Sequence, residues 1–123
     1  MTKTILIVED EADIRLLYAE VLRETGYNVH EAPDGTVGLD KALHEPWDLL
    51  LLDIVLPGSD GINILKKIKE DPNLKKKPVL LLTNLGVEHV INDCFELGAN
   101  GYLIKSEITP DKIVDEVGVF LNA

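Results

Sequence analysis

Asp48-Leu49-Leu50-Leu51-Leu52-Asp53-Ile54-Val55-Leu56-Pro57-Gly58-Ser59-Asp60-Gly61 is the stretch that decides the fold. Its apolar run has strand length and no polar alternation, the mark of a parallel strand covered on both faces. A carboxylate and a turn rich in proline and glycine then stop it. In open α/β sheets ligands bind beyond the carboxyl ends of the strands, so an acid placed there faces a site. Asp53 is what this strand presents. Taken alone it reads as well as a strand-end or helix-capping aspartate, so the other strand ends must decide.

Working outward, Thr4-Ile5-Leu6-Ile7-Val8 is a second buried strand and ends in Glu9-Asp10-Glu11. Ile14, Leu17, Tyr18, Val21 and Leu22 follow at helical spacing up to a glycine cap at Gly26. Tyr27 to Ala32 alternates like a more exposed strand, and Pro33-Asp34-Gly35 breaks it before a helix carrying Val37, Leu39, Ala42 and Leu43. Beyond Asp53, a helix from about Asp60 buries Ile62, Leu65 and Ile68 and must stop near Asp71-Pro72. Pro78-Val79-Leu80-Leu81-Leu82 is a strand delivering Thr83 and Asn84, and Val87 to Leu97 forms a helix stopped by Gly98. Tyr102-Leu103-Ile104 is a short strand ending at Lys105. Thr109-Pro110-Asp111 opens the last helix, with threonine as cap, proline in the first turn and an acid at the positive dipole end. Ile113, Val117 and Phe120 form its apolar face. Five strands alternating with five helices give an α/β fold, a doubly wound parallel sheet with right-handed crossovers. The strand order expected is 2-1-3-4-5, one that flavodoxin-like (βα)5 sheets adopt.

The 123 residues, 46% of them hydrophobic, fit one domain spanning 1–123. A net charge of −10, from 12 basic and 22 acidic residues, argues against direct nucleic-acid binding. Half of the basic residues lie at Lys66, Lys67, Lys69, Lys75, Lys76 and Lys77, a cluster able to dock an acidic partner but more simply a solvated face. A single cysteine, Cys94, suits a reducing compartment. There is no signal segment at the start and no apolar run of membrane length, so a cytoplasmic protein without a membrane partner is expected. His30, His44 and His89 read as surface or packing residues, and Trp47 and Cys94 as core or core-edge residues.

Collected at one sheet edge are Glu9, Asp10, Asp53, Thr83 and Lys105. Two like charges about 4 Å apart repel by about 4 kcal/mol at an effective dielectric of about 20, so the acids need a cation. Hard oxygen donors without cysteine or histidine favour Mg²⁺, with Mn²⁺ as a substitute. Mg²⁺ keeps waters and suits a phosphate oxygen, and with a phosphoryl group present each residue gains a role. Asp53 becomes the candidate nucleophile, while Thr83 and Lys105 bind the remaining oxygens.

Val8-Glu9-Asp10-Glu11, Leu52-Asp53 through Gly61, Leu82-Thr83 and Gly98-Ala99-Asn100-Gly101-Tyr102-Leu103-Ile104-Lys105 together resemble the receiver domains of two-component response regulators, over essentially the whole chain. The likeness is to a stand-alone, chemotaxis-type receiver. It implies that Asp53 is phosphorylated from a phosphohistidine on a sensor histidine kinase or phosphotransfer protein. It also implies that Glu9 (through water), Asp10, Asp53 and the Val55 backbone carbonyl hold Mg²⁺. By the same resemblance, Thr83 and Tyr102 act as switch residues, and the surface of the fourth helix, fifth strand and fifth helix acts on a downstream protein target. Such a domain is a phosphoacceptor that assists its own transfer and slow dephosphorylation, and is no enzyme in the ordinary sense. A monomer is expected, with a dimer on activation left open.

Three departures stand out. Ser106 occupies the place where receivers usually carry proline, and Asn84 the place of a small residue. Val55 and Leu85, at positions that tune water access, are both apolar, which predicts a long-lived phosphorylated form. The final helix has Lys112 but none of the arginines usual in receivers that dimerise ahead of DNA-binding domains. Among rivals, a haloacid-dehalogenase-type phosphatase needs an acid at Val55. A flavodoxin-type flavin site needs a hydroxyl- and glycine-rich loop where Glu9-Asp10-Glu11 stands, and a nucleotide site needs a Walker loop. The remaining alternative is a receiver-like interaction module that is never phosphorylated.

Overall fold

In the computed structural model, which describes residues 2–56, 60–84 and 88–122, five parallel strands form one sheet in the order β2-β1-β3-β4-β5. The strands are β1 Thr4–Val8, β2 Asn28–Ala32, β3 Leu49–Asp53, β4 Val79–Thr83 and β5 Gly101–Ile104. The helices are α1 Ala12–Thr25, α2 Gly35–His44, α3 Gly61–Glu70, α4 Glu88–Glu96 and α5 Pro110–Leu121, with a short 3-10 turn at Lys105–Glu107. Fold class and strand order are as the sequence predicts. Boundaries differ slightly: Asp48 precedes β3, where its Oδ2 accepts the Thr4 amide at 2.7 Å, and Gly101 joins β5.

β3 explains the arrangement. All five of its residues are buried, with neighbours on both sides, Leu50 pairing with Leu6 and with Val79. Successive side chains of a strand face opposite ways, and the core divides accordingly. Leu50 and Leu52 join Leu6, Val8 and Leu81 against Ala42 of α2, Ile64, Leu65 and Ile68 of α3 and Cys94 of α4. Leu49 and Leu51 join Ile5, Ile7 and Leu80 against Tyr18 and Leu22 of α1 and Ile113 and Val117 of α5. The four leucines of β3 alone contribute about 6–12 kcal/mol of gross hydrophobic driving force. Chain entropy offsets most of it.

Local signals fix the helix ends. Asp34 accepts the Val37 amide at 2.8 Å, Asp60 that of Asn63 at 2.7 Å and Thr109 that of Lys112 at 3.2 Å, each such cap being worth about 1 kcal/mol. Gly26 closes α1 at φ +111°, a conformation other residues rarely adopt. Gly61 has a different reason to be glycine. A Cβ there would collide with the backbone carbonyl of Asp53 and approach the Ile54 Cα to 2.7 Å, where no side chain can turn aside. Gly61→Ala is therefore expected to cost about 2–3 kcal/mol in urea unfolding. A variant as stable as the parent would contradict this packing.

The lysine cluster is only partly a solvated face. Lys69 Nζ donates to the carbonyls of Lys75 and Lys77, both at 3.1 Å, and to Asn100 Oδ1 at 3.3 Å. Lys77 Nζ donates to the Trp47 carbonyl at 2.7 Å and sits 5.1 Å from the indole centroid. Lys66, Lys67, Lys75 and Lys76 are exposed. Trp47 and Cys94 are core residues, as expected.

Candidate functional site

Four of the five carboxyl-terminal strand ends contribute to one edge. Glu9 and Asp10 follow β1, Asp53 ends β3, Thr83 ends β4 and Lys105 follows β5. β1 and β3 run side by side with Val8 opposite Leu52, so the residues just beyond meet. Oxygens of Glu9, Asp10 and Asp53 lie within 4.8 Å of one another, a grouping able to hold a metal ion. Asp10 is exposed, while Glu9 is fully buried and Asp53 is 4% exposed.

Lys105 is the cation between them. Its Nζ lies 2.7 Å from Glu9 Oε1 and 2.7 Å from Asp53 Oδ2, and its side chain is 6% exposed. Glu11 Oε1 is farther, at 3.9 Å. The sequence assigned Lys105 to phosphoryl oxygens and left compensation of the acids to a metal. Without either, the ammonium bridges the carboxylates itself. Burial pulls the Lys105 amine down, but the hydrogen bonds and charges of Asp53 and Glu9 outweigh it and hold it above the ordinary lysine value. Ser106 follows Lys105 in the 3-10 turn Lys105–Glu107, and the lysine there is held by its ion pairs with Glu9 and Asp53.

The other oxygens are unequal. Asp53 Oδ1 accepts the Val55 amide at 3.0 Å, so both oxygens of Asp53 have partners. Glu9 Oε2 is buried without one. Burial, together with the hydrogen bond and charge of Asp53, pushes the Glu9 carboxyl up to about 8, against the opposing pull of Lys105. A buried, unpartnered carboxylate oxygen beside two more acids fits a hard divalent cation, because charge and lone pairs exceed what Lys105 satisfies.

Thr83 is 3% exposed, its hydroxyl donating to the Asn84 carbonyl at 3.2 Å. With Asp53, Ile54, Val55, Asn84 and Val90 it lines a small recess over the sheet edge. Asn84 itself is exposed, and Val55 is 72% exposed. Leu85, paired with Val55 in the reading of water access, lies outside the described residues, as do Pro57, Gly58 and Ser59. Tyr102, at 45% exposure, is away from the recess and packs edge-on against Phe95, ring centroids 6.1 Å apart. His30 pairs with Glu45 at 3.2 Å and His44 with Asp40 at 3.1 Å, away from the acids. One residue the sequence reading passed over also touches the site: Arg15 Nη1 donates to the Glu9 carbonyl at 2.9 Å. Its only sequence signal was its position, six residues after Glu9 on an otherwise acidic helix start.

Comparison with known proteins agrees with this geometry. The family described as "Response regulator receiver domain" matches residues 5–118. Sporulation initiation phosphotransferase F of Bacillus subtilis is 39% identical over 98% of this chain and 95% of its own length. Transcriptional regulatory protein ResD of the same organism is 37% identical over 96% of this chain and 48% of its own length. The chain thus spans about half the length of several curated relatives it matches. Among solved structures, the Mn²⁺-bound form of response regulator Rcp1 superposes with a TM-score of 0.83 at 32% identity, covering 96% of this chain and 93% of that one. No described helix is long and apolar enough to cross a membrane.

Proposed function

The chain belongs to the response-regulator receiver family, and from that premise we propose that Asp53 accepts a phosphoryl group from a phosphohistidine. The donor is a sensor histidine kinase or a phosphotransfer protein. An Asp53 oxygen forms the new bond to phosphorus as the bond from phosphorus to the imidazole nitrogen breaks, and the nitrogen keeps the electron pair. The observation that carries this reading is the buried pairing of Asp53 and Glu9 on Lys105 with one Glu9 oxygen unsatisfied. That arrangement favours a site completed by added cation and anion together. Asp10, Asp53 and the Val55 carbonyl, with Glu9 through water, would hold Mg²⁺ or Mn²⁺. The ion, when bound, supplies neutralisation of charge on the phosphoryl oxygens.

The chain's own residues do the rest. Lys105 transfers from the carboxylates to a phosphoryl oxygen, and the Thr83 hydroxyl, whose partner among the described residues is the Asn84 carbonyl at 3.2 Å, turns to another. The acyl phosphate carries about −1.5 to −2 charges where the carboxylate carried one, with three strong acceptor oxygens, enough to bias the surface of α4, β5 and α5, where Tyr102 lies, toward a state that a downstream protein recognises. We place this activity in a cytoplasmic receiver domain acting as a monomer.

The test is mass spectrometry after incubation with acetyl phosphate and Mg²⁺. The expected product is one acid-stable, base-labile phosphate located at Asp53. Absence of both metal affinity and acyl phosphate would leave an interaction module that is never phosphorylated.

Metal binding carries its own pH signature. Burial and the neighbouring Asp53 raise the Glu9 carboxyl, so a cation bound at these acids, with Glu9 reached through water, competes with a proton there. Mg²⁺ affinity is therefore expected to rise with pH by up to about tenfold per unit and to level off above the Glu9 pKa. Calorimetry in two buffers of different ionisation enthalpy reads the released proton directly. A pH-independent affinity with no proton released would contradict it.

A further inference from the structure

We infer that Arg15 is a positioning residue for the acids at the end of β1: held by Glu31, it fixes the Glu9 carbonyl and so the turn that carries Glu9 and Asp10. The inference rests on the proposed role of those acids. Arg15 stands in the first turns of α1 with its side chain 15% exposed. Nη1 donates to the Glu9 carbonyl at 2.9 Å, and Nε donates to Glu31 Oε1 at 3.3 Å. The second Glu31 oxygen pairs with Arg23 Nη1 at 3.1 Å, and Arg23 Nη2 donates to the Val29 carbonyl at 2.8 Å. The chain of contacts runs from β2, through two arginines of one helix, to the backbone of the site.

The turn needs such a fastening. The parallel ladder of β1 with β3 ends at Val8, and the Glu9 amide still reaches the Ala32 carbonyl at 3.1 Å. After that, Glu11 begins α1 with no side-chain capping bond. The Glu9 carbonyl is thus left to a side chain, and a planar guanidinium serves both it and Glu31 because its donors point in fixed, divergent directions. An ammonium has no such fork. Residues that hold metal ligands from behind commonly change metal affinity by about 10–100-fold when removed.

Charge and position are separable. If Arg15 acted only as a nearby positive charge, removing it would strengthen binding of a cation. As a positioning residue, its loss weakens binding even when the charge is kept. Arg15→Lys and Arg15→Met are therefore both expected to weaken Mg²⁺ binding by about tenfold in calorimetry. Glu31→Gln, which loosens Arg15 from behind, is expected to act in the same direction by less, and to add little to Arg15→Lys. The measurements are made where urea unfolding shows each variant fully folded. In the metal-free protein, amide exchange at Glu9 is expected to accelerate by about tenfold in Arg15→Lys. Unchanged Glu9 exchange, wild-type affinity in Arg15→Lys, or tighter Mg²⁺ binding by Arg15→Met would each overturn the inference. A wild-type protein with no Mg²⁺ affinity but with the exchange effect would instead remove the proposed function and leave the positioning role standing.

Discussion

Asp53→Asn is expected to yield no base-labile phosphate with any donor, while the protein remains folded and as stable as the parent. The chemical half of this expectation follows from nucleophilicity. An amide oxygen lacks the charge of a carboxylate and cannot form the acyl phosphate, so the loss is complete and not graded. The structural half follows from Lys105, which keeps Glu9 at 2.7 Å when Asp53 loses its charge. No buried cation is orphaned. The amide oxygen can still accept the Val55 amide that Asp53 Oδ1 now accepts at 3.0 Å. Mass spectrometry and urea unfolding read the two halves separately. A phosphate retained at another acid would show that the nucleophile had been misassigned, and a marked loss of stability would show that Lys105 depends on both partners.

Lys105→Met is expected to have the largest effect on stability. Removing one member of a buried charge cluster strands the others, typically at a cost of about 3–5 kcal/mol. Here the cost depends on pH in a definite sense. Glu9 has a folded-state pKa raised to about 8 from 4.5, mainly by burial. Its contribution is fullest below the lower value, where both states are protonated, and declines as pH rises through the folded pKa. Loss of Lys105, which pulls the Glu9 carboxyl down, raises it further, so the variant should be least stable at alkaline pH, where Asp53 and Glu9 are both ionised with no ammonium between them. It should recover at acid pH as Glu9 takes up its proton. Added Mg²⁺ should also restore stability, since a ligand bound only by the folded state stabilises it by mass action. Urea midpoints across pH, with and without Mg²⁺, test all three. A variant equally stable at every pH would mean that the lysine is not what balances the acids.

Much of this was legible in the sequence, for identifiable reasons. A strand buried on both faces has to be apolar throughout, so the run from Leu49 to Leu52 announced itself and its terminating Asp53 with it. Parallel strands deliver their ends to one edge, and that alone gathers Glu9, Asp10, Thr83 and Lys105. The partner that Lys105 chooses was not legible, because spacing tells how far an ammonium reaches and not which of several anions it meets. Arg15 was hidden for a related reason. Its value depends on Glu31 standing one strand away, a neighbour that helical periodicity does not name. Lys69 looked like part of a solvated run, yet the chain around it folds its carbonyls inward and makes the side chain a clasp.

That clasp bears on how β4 can respond at its other end. Asn100 Oδ1 accepts both the Lys69 ammonium and the Val79 amide, the latter at 3.0 Å, while the Asn100 backbone N–H donates to the Val79 carbonyl at 2.9 Å. The strand is anchored at its root like a cantilever, and sliding it bodily along its neighbours would tear that anchor. Any displacement at Thr83 is therefore expected as deflection at the far end of β4, and not as a shift of the whole strand.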